Sequence, residues 1–324
     1  MNGLKIIFMG TPEFAVATLG SLVMNGFDVA GVVTVPDKPA GRGRKITKSA
    51  VKLYSESVYL PLMQPESLRN PEFIKQLQEF DADLFIVVAF RMLPEVIWKI
   101  PKIGTINLHA SLLPNYRGAA PINHAIINGE KVTGVTTFFI DEKIDTGSIL
   151  MREKIKISPN ENAGDIHDKL MKLGARVVIQ TITDISLNRI VPIPQEKLIK
   201  KGDSPKPAPK IHPDFCIIDW NKDSEQINNL IRGLSPHPSA RTFLKNDQKT
   251  ISLKIFESVP DKELHNHAAG RIISDGKNFI KVACRNGFIN VTSLQLEGKT
   301  RMSSVEFLRG FTIEDYPTAV SQPV

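Results

Sequence analysis

Four short apolar runs punctuate the first third of the chain, at residues 4–9, 29–35, 84–89 and 103–108. Each is long enough for a strand and too short for an ordinary helix, and segments of helical spacing lie between them. After the first run, Ala15, Leu19 and Leu22 recur at that spacing, and residues 71–80 form another such segment. This alternation constrains the fold more than any other feature. Continuous apolar strands separated by helices belong to an open parallel sheet covered on both faces. A long helix closes the unit, with Ile166, Leu170, Leu173 and Val177 on one side.

Beyond Arg189 the pattern ends. Residues 191–213 contain six prolines with lysines between them. Proline lacks an amide donor and interrupts both helices and central strands, so this stretch reads as a semi-extended linker. Farther on, Asp275-Gly276 and Asn286-Gly287 each separate apolar runs, the pattern of a tight hairpin. Residues 270–273, 279–284, 288–291 and 293–296 then predict a meander that forms a small barrel. The expected division is 1–189, α/β; 190–212, linker; and 213–324, mostly β. A chain of 324 residues can bury two cores of that size.

Lys and Arg number 41 against 34 Asp and Glu, a net charge of +7. The excess is concentrated. Residues 36–52 hold six basic side chains against Asp37 alone, and residues 190–210 hold five lysines against Glu196 and Asp203. A solvated face is the bland explanation, and a polyanion, with nucleic acid first, is the functional one. Cys216 and Cys284 make neither a disulfide framework nor a zinc site. No apolar run approaches the ~20 residues of a membrane span, and the N-terminal run is too short for a signal peptide. A reducing, cytoplasmic setting is the expectation. His265 and His267 read as surface histidines, and His124 and His167 as surface or packing residues on helices.

The first strand-to-helix turn is Gly10-Thr11-Pro12-Glu13-Phe14. Thr11 is suited to cap the helix, Pro12 to open it, and Glu13 to its positive end. The same residues argue against a dinucleotide, since Pro12 removes a donor and Glu13 puts negative charge where a pyrophosphate would lie. Asp37, at the distance of a ribose-binding acid, means little alone.

The strongest constellation is Asn107-Leu108-His109. In a strand Asn107 and His109 share a face while Leu108 takes the other. Two polar residues ending a central strand are anomalous, and that end is where open α/β sheets bind ligands. Asp145, in the glycine-closed loop after residues 134–140, is by default a turn former. A carboxylate near His109 would also orient the imidazole and favour its charged form. Asparagine as donor, histidine as proton acceptor and aspartate as orienter suit attack of an amine on a carbonyl. No nucleophile elbow is present, which favours direct transfer to an acceptor. Whether His109 acts as base or stabilises an oxyanion stays open. The basic loop around Arg42 and Lys45 follows the second strand and should emerge at the same sheet edge. There an arginine can pair bidentately with a phosphate or a guanine edge.

These residues carry a resemblance. Asn107-Leu108-His109-Ala110-Ser111-Leu112-Leu113-Pro114-Asn115-Tyr116-Arg117-Gly118, with Asp145-Thr146-Gly147, resembles the signatures of the folate-dependent formyltransferases. Gly10-Thr11-Pro12-Glu13-Phe14, Pro36-Asp37-Lys38-Pro39-Ala40-Gly41-Arg42-Gly43, Ala208-Pro209-Lys210-Ile211 and Ile218-Asp219-Trp220 are similar to the branch that formylates initiator methionyl-tRNA. The resemblance implies 10-formyltetrahydrofolate as formyl donor, no metal, the α-amine of initiator methionyl-tRNA as acceptor, and no membrane or obligate protein partner. It implies a Rossmann-like open parallel sheet followed by an OB-like β-barrel that binds tRNA. It carries catalysis onto Asn107, His109 and Asp145. Folate binding falls on Ser111, Leu112, Leu113 and Pro114 and on the loop Phe90, Arg91, Met92 and Leu93. An acceptor that is a small amine, glycinamide ribonucleotide or an amino sugar, is the alternative within the family. Pro12 and Glu13 oppose the first, and the basic loop and linker would be idle in the second. A formate-releasing hydrolase is a third reading. A non-catalytic RNA-binding module leaves Asn107, His109 and Asp145 unexplained.

Overall fold

The computed structural model describes residues 3–40 and 45–322. They form two compact units. One gathers the described residues up to Gly118 with Thr133–Ile155 and His167–Pro207; the other gathers Ala119–Val132, Lys156–Ile166 and the described residues from Ala208 onward.

In chain order the first elements are β1 (Lys5–Gly10), α1 (Glu13–Met24), β2 (Asp28–Val33), β3 (Lys38–Ala40), β4 (Lys45–Thr47), α2 (Ala50–Ser57) and β5 (Leu62–Met63). There follow α3 (Pro71–Glu79), β6 (Leu84–Val88), α4 (Glu95–Trp98) and β7 (Gly104–His109). Then come α5 (Pro121–Ile127), β8 (Val132–Phe139), β9 (Ile149–Lys156) and α6 (Ala163–Ser186). The sheet order is β5-β2-β1-β6-β7-β8-β9. Neighbours from β5 to β7 are parallel, whereas β8 runs antiparallel to β7. The sheet is therefore mixed rather than wholly parallel. Burial alternates along the edge strand β9, as expected where one face meets solvent.

Register explains the apolar runs. Met9, Val87 and Asn107 lie side by side, as do Ile7, Phe85 and Thr105. On that face Ile7, Met9, Phe85 and Val87 pack with Phe73, Leu77 and Ile97 from α3 and α4. On the opposite face Leu108 meets α6 at Gly174, where a Cβ would stand 2.7 Å from the leucine side chain. Glycine there sets how closely the helix can approach. Local chemistry sets several helix starts. Asn70 accepts from the amides of Glu72 and Phe73, with Pro71 opening α3, and Ser49 accepts from Lys52. Thr11, however, does not cap α1. Pro12 occupies the cap position in an extended conformation without a side-chain bond, and its carbonyl accepts the first helical amides, those of Ala15 and Val16.

The proline-rich stretch is extended apart from a 3-10 turn at Gln195–Leu198, and it is not loose. Ile193 exchanges backbone hydrogen bonds with Ile149 at 2.8 and 2.9 Å, and the Tyr116 amide donates to the Lys206 carbonyl.

The second unit contributes α7 (Ser224–Leu234), β10 (Ala240–Lys245), β11 (Thr250–Asp261), β12 (Ile272–Ser274) and β13 (Ile280–Cys284). It continues with β14 (Gly287–Leu296), β15 (Met302–Ser303), α8 (Ser304–Leu308) and β16 (Thr318–Val320). Its antiparallel sheet runs β12-β13-β14-β11-β10-β16, and Arg271 bridges to Thr318, so the two ends nearly close a barrel. The runs at 288–291 and 293–296 are one strand, not two. A register shift against Glu257 and Ser258 absorbs the interruption without a turn. The second hairpin turns at Arg285-Asn286, one residue before the expected dipeptide, because Gly287 already pairs with Cys284. Ile227, Ile231 and Leu234 of α7 join Ile255, Ile289 and Leu294 in the barrel core. Cys216 and Cys284 are free and buried, and burial pushes both thiols up. Among the described residues, no helix is long and apolar enough to cross a membrane.

Candidate active site

The sheet order reverses direction beside β1, since β2 lies on one side of it and β6 on the other. Open α/β sheets bind ligands at the carboxyl ends of strands near such a reversal. Asn107 and His109 end β7, the next strand along, on the face continued from Met9 and Val87. Asn107 is half-buried, and its carboxamide has no hydrogen-bond partner among the described residues.

His109 is buried, and its Nε2 lies 2.8 Å from the carbonyl oxygen of Tyr116. A carbonyl only accepts, so Nε2 is the protonated nitrogen and Nδ1 carries the free lone pair. Nδ1 stands 3.8 Å from Asp145 Oδ2. That is beyond hydrogen-bond reach and within strong Coulombic range. A neutral ring sets a lone pair against the carboxylate, and a proton taken up at Nδ1 would be attracted to it.

Asp145 sits in the loop between β8 and β9 with a left-handed φ of 55°. The Gly118 amide donates to its Oδ2 at 2.9 Å. Two residues on, Gly147 lies against β8, where a Cβ would stand 1.7 Å from the Phe139 carbonyl oxygen. Gln195 Nε2 donates to the carbonyls of Asp145 and Gly147, and its Oε1 accepts from Arg117.

The loop from Ser111 to Pro114 is held by its own polar groups. The Ser111 hydroxyl donates to the Asn115 carbonyl at 2.7 Å. Thr136 Oγ1 donates to the Ser111 carbonyl and accepts from the Leu113 amide, while Arg152 donates to the Leu113 carbonyl. Ser111, Leu113 and Pro114 are buried and Leu112 half-buried.

The loop after β6 scatters its four candidates. It turns at Ala89, whose φ is 47°. Phe90 packs on the apolar cluster of that sheet face, and Leu93 is one of the cluster's buried members. Met92 is 78% exposed. Arg91 donates to the carbonyls of Pro65 and Glu66, each at 2.9 Å, and lies over the Phe90 ring. Burial lowers the basicity of its guanidinium.

Arg42 lies outside the described residues, and Lys45 opens β4 opposite Ala40. Asp37, weighed above as a ribose-binding acid, is already engaged. Lys52 donates to it at 2.6 Å and Gln64 at 2.8 Å, and the lysine hydrogen bond holds its carboxyl below the usual range. Among the described residues, no group of three His, Cys, Asp or Glu side chains could hold a metal ion. Elsewhere His124 is buried with Nε2 on the Pro209 carbonyl, His167 stands edge-on to Phe14, and His265 lies against Phe288.

Sequence reasoning missed Gln195, Arg117, Thr136 and Arg152. Arg117 was visible inside the signature stretch, but Gln195 sits among prolines and lysines where nothing marks it. The assembled groups, a half-buried amide donor and an imidazole facing a carboxylate, can polarise a carbonyl and take a proton from an attacking amine.

Residues 4–182 match the family model for formyl transferase, and residues 210–312 that for formyl transferase, C-terminal domain. A Flavobacterium johnsoniae protein named methionyl-tRNA formyltransferase is 53% identical over 315 residues, covering 97% of this chain and 98% of that one. A protein of the same name from Bacteroides fragilis is 52% identical over 313 residues, 96% of each chain. The solved N-formyltransferase from Helicobacter canadensis, in complex with folinic acid and dTDP-3-aminofucose, has a TM-score of 0.64 at 21% identity, covering 89% of this chain and 98% of its own. HypX from Aquifex aeolicus in complex with tetrahydrofolic acid has a TM-score of 0.62 at 17% identity, over 95% of this chain and 47% of its own. At such identities the solved structures bear on the fold alone.

Proposed function

The chain belongs to the formyl transferase family, and we propose that it moves the formyl group of 10-formyltetrahydrofolate onto the α-amino group of initiator methionyl-tRNA. The observation that carries this reading is that similarity to methionyl-tRNA formyltransferases runs through both units at about half identical residues. The activity serves translation initiation, and we assign it to the cytoplasm.

The amine attacks the formyl carbon. A carbon–nitrogen bond forms to the amine, the bond to N10 of the donor breaks, the amine loses a proton and N10 gains one. Asn107 donates to the formyl oxygen as negative charge gathers there. His109 takes the amine's proton at Nδ1, because its Nε2 is committed to Tyr116, and Asp145 offsets the resulting positive charge. An α-amine titrates at roughly 7.7–8.0 in model compounds, so modest base assistance suffices. Residues 1–189 carry this chemistry, residues 190–212 connect, and residues 213–324 engage the tRNA. The folate site is formed by Ser111, Leu112, Leu113 and Pro114 with the loop Phe90, Arg91, Met92 and Leu93, in which Leu93 anchors the loop in the core and Arg91 ties it to the Pro65 and Glu66 carbonyls. Arg42 and Lys45 meet the acceptor end.

Purified protein is offered 10-formyltetrahydrofolate with charged initiator methionyl-tRNA, glycinamide ribonucleotide, a nucleotide-linked amino sugar, or no acceptor. Formyl should appear on the methionyl-tRNA far faster than on the rest. Preferential use of a small amine, or release of formate at the same rate without acceptor, would overturn the reading.

A further inference from the structure

Gln195 is completely buried, yet its side chain leaves no bond unmade. Oε1 accepts from Arg117 Nε at 3.1 Å and Nη2 at 2.7 Å; Nε2 donates to the carbonyls of Asp145 and Gly147, each at 2.9 Å. A guanidinium only donates and a carbonyl only accepts, so the carboxamide can face one way. Rotation would set donor against donor and acceptor against acceptor in a site closed to water.

The two carbonyls it grips flank Thr146, so the amide closes on the turn that carries Asp145. At Asp145 φ is 55°, a left-handed turn conformation that aspartate adopts more readily than most residues but that by itself does not fix where the carboxylate points. The other end of the clamp is no less relevant. Arg117, which orients the Gln195 amide, precedes Gly118, whose amide binds the Asp145 carboxylate at 2.9 Å. One two-residue segment therefore fixes both the backbone and the carboxylate of Asp145, the first through Gln195 and the second directly.

We propose that Gln195 is a positioning residue for formyl transfer, keeping the Asp145 carboxylate against His109 Nδ1. The proposal rests on the roles given above to Asp145 and His109. A merely structural amide would alter stability or substrate binding. A positioning amide alters turnover, and only while Asp145 has its charge.

Two substitutions separate the bonds. Gln195→Glu keeps the pairing with Arg117 but sets oxygens against the two carbonyls. Gln195→Met keeps the bulk and makes no bond. Both are assayed for kcat and for KM toward each substrate, alone and combined with Asp145→Asn. We expect kcat to fall by about 10- to 100-fold with KM values held within about twofold, the pattern of an interaction felt in the transition state. In the Asp145→Asn background the same changes should add no more than about twofold, since the positioned charge is gone. Full multiplication of the two losses, or an unchanged kcat in the single variants, overturns the proposal. Should either variant fail to fold, Arg117→Met loosens the same amide from the other side and should show a smaller loss of kcat at constant KM; an unchanged kcat there counts equally against it. Wild-type turnover by Asp145→Asn alone would overturn the reading of Asp145 and, with it, this proposal.

Discussion

Replacing Asp145 by asparagine removes a charge and little else. The new side chain has the same shape, and its oxygen can still accept from the Gly118 amide that now donates to Oδ2 at 2.9 Å. The carboxylate's attraction for a proton on His109 is lost. At the observed separation of 3.8 Å, an effective dielectric near 20 makes that attraction about 4 kcal/mol. The carboxylate and imidazole are 13% and 8% exposed, so solvent trims this value without cancelling it. If the imidazolium forms only as the amine surrenders its proton, the loss falls on the transition state, and kcat should drop about 10²- to 10³-fold. Stability should stay within about 1 kcal/mol, because the Gly118 bond survives. Asp145→Ala should be as slow and additionally less stable, since it leaves that amide unpaired. The assay is single-turnover formyl transfer to charged initiator tRNA, with thermal unfolding of each variant alongside. A kcat for Asp145→Asn within about threefold of the parent would falsify the electrostatic role.

Gly147→Ala should cost about 3 kcal/mol or more in thermal unfolding, because the added Cβ meets backbone, 1.7 Å from the Phe139 oxygen, which no rotamer change relieves; an unchanged Tm would show that β8 and β9 can part. Ile231, wholly buried in the barrel unit, should cost about 2–5 kcal/mol as alanine in denaturant unfolding, and a loss under the lower figure would mean that the cavity collapses. Asp37 is held below the ordinary carboxylate value of 3.8 by Lys52, so its contribution to stability is present above that value and lost as pH falls through its lower folded value. The stability gap between the parent and Asp37→Asn should accordingly narrow on acidification, and a gap that widens instead would contradict the ion pair.

Much of the site was legible because its signals are local. Asn107 and His109 share a face through the two-residue period of a strand, whatever the rest of the chain does. Apolar runs such as 84–88 reveal burial on both faces for the same reason. Capping was less secure. Asn70 behaves as its residue type suggests, but Thr11 does not, because α1 begins one residue later, with the Pro12 carbonyl accepting from the amides of Ala15 and Val16. The break before residue 293 looked like a turn, yet the partner strand β11 absorbed it as a register shift. Direction along the sheet edge was equally hidden, since an apolar strand looks the same from either end.

Gln195 marks where local signals stop. A lone glutamine among prolines carries no periodicity, and composition assigns it to solvent. Its burial follows from partners 78, 50 and 48 residues away in sequence, Arg117, Asp145 and Gly147. The orientation of Asp145 is a similar case, its backbone carbonyl held by that amide and its carboxylate by Gly118. Spacing along a chain records which side chains point the same way. The satisfaction of a buried polar group depends on which distant atoms arrive beside it, and that is settled when the sheet and its loops close together.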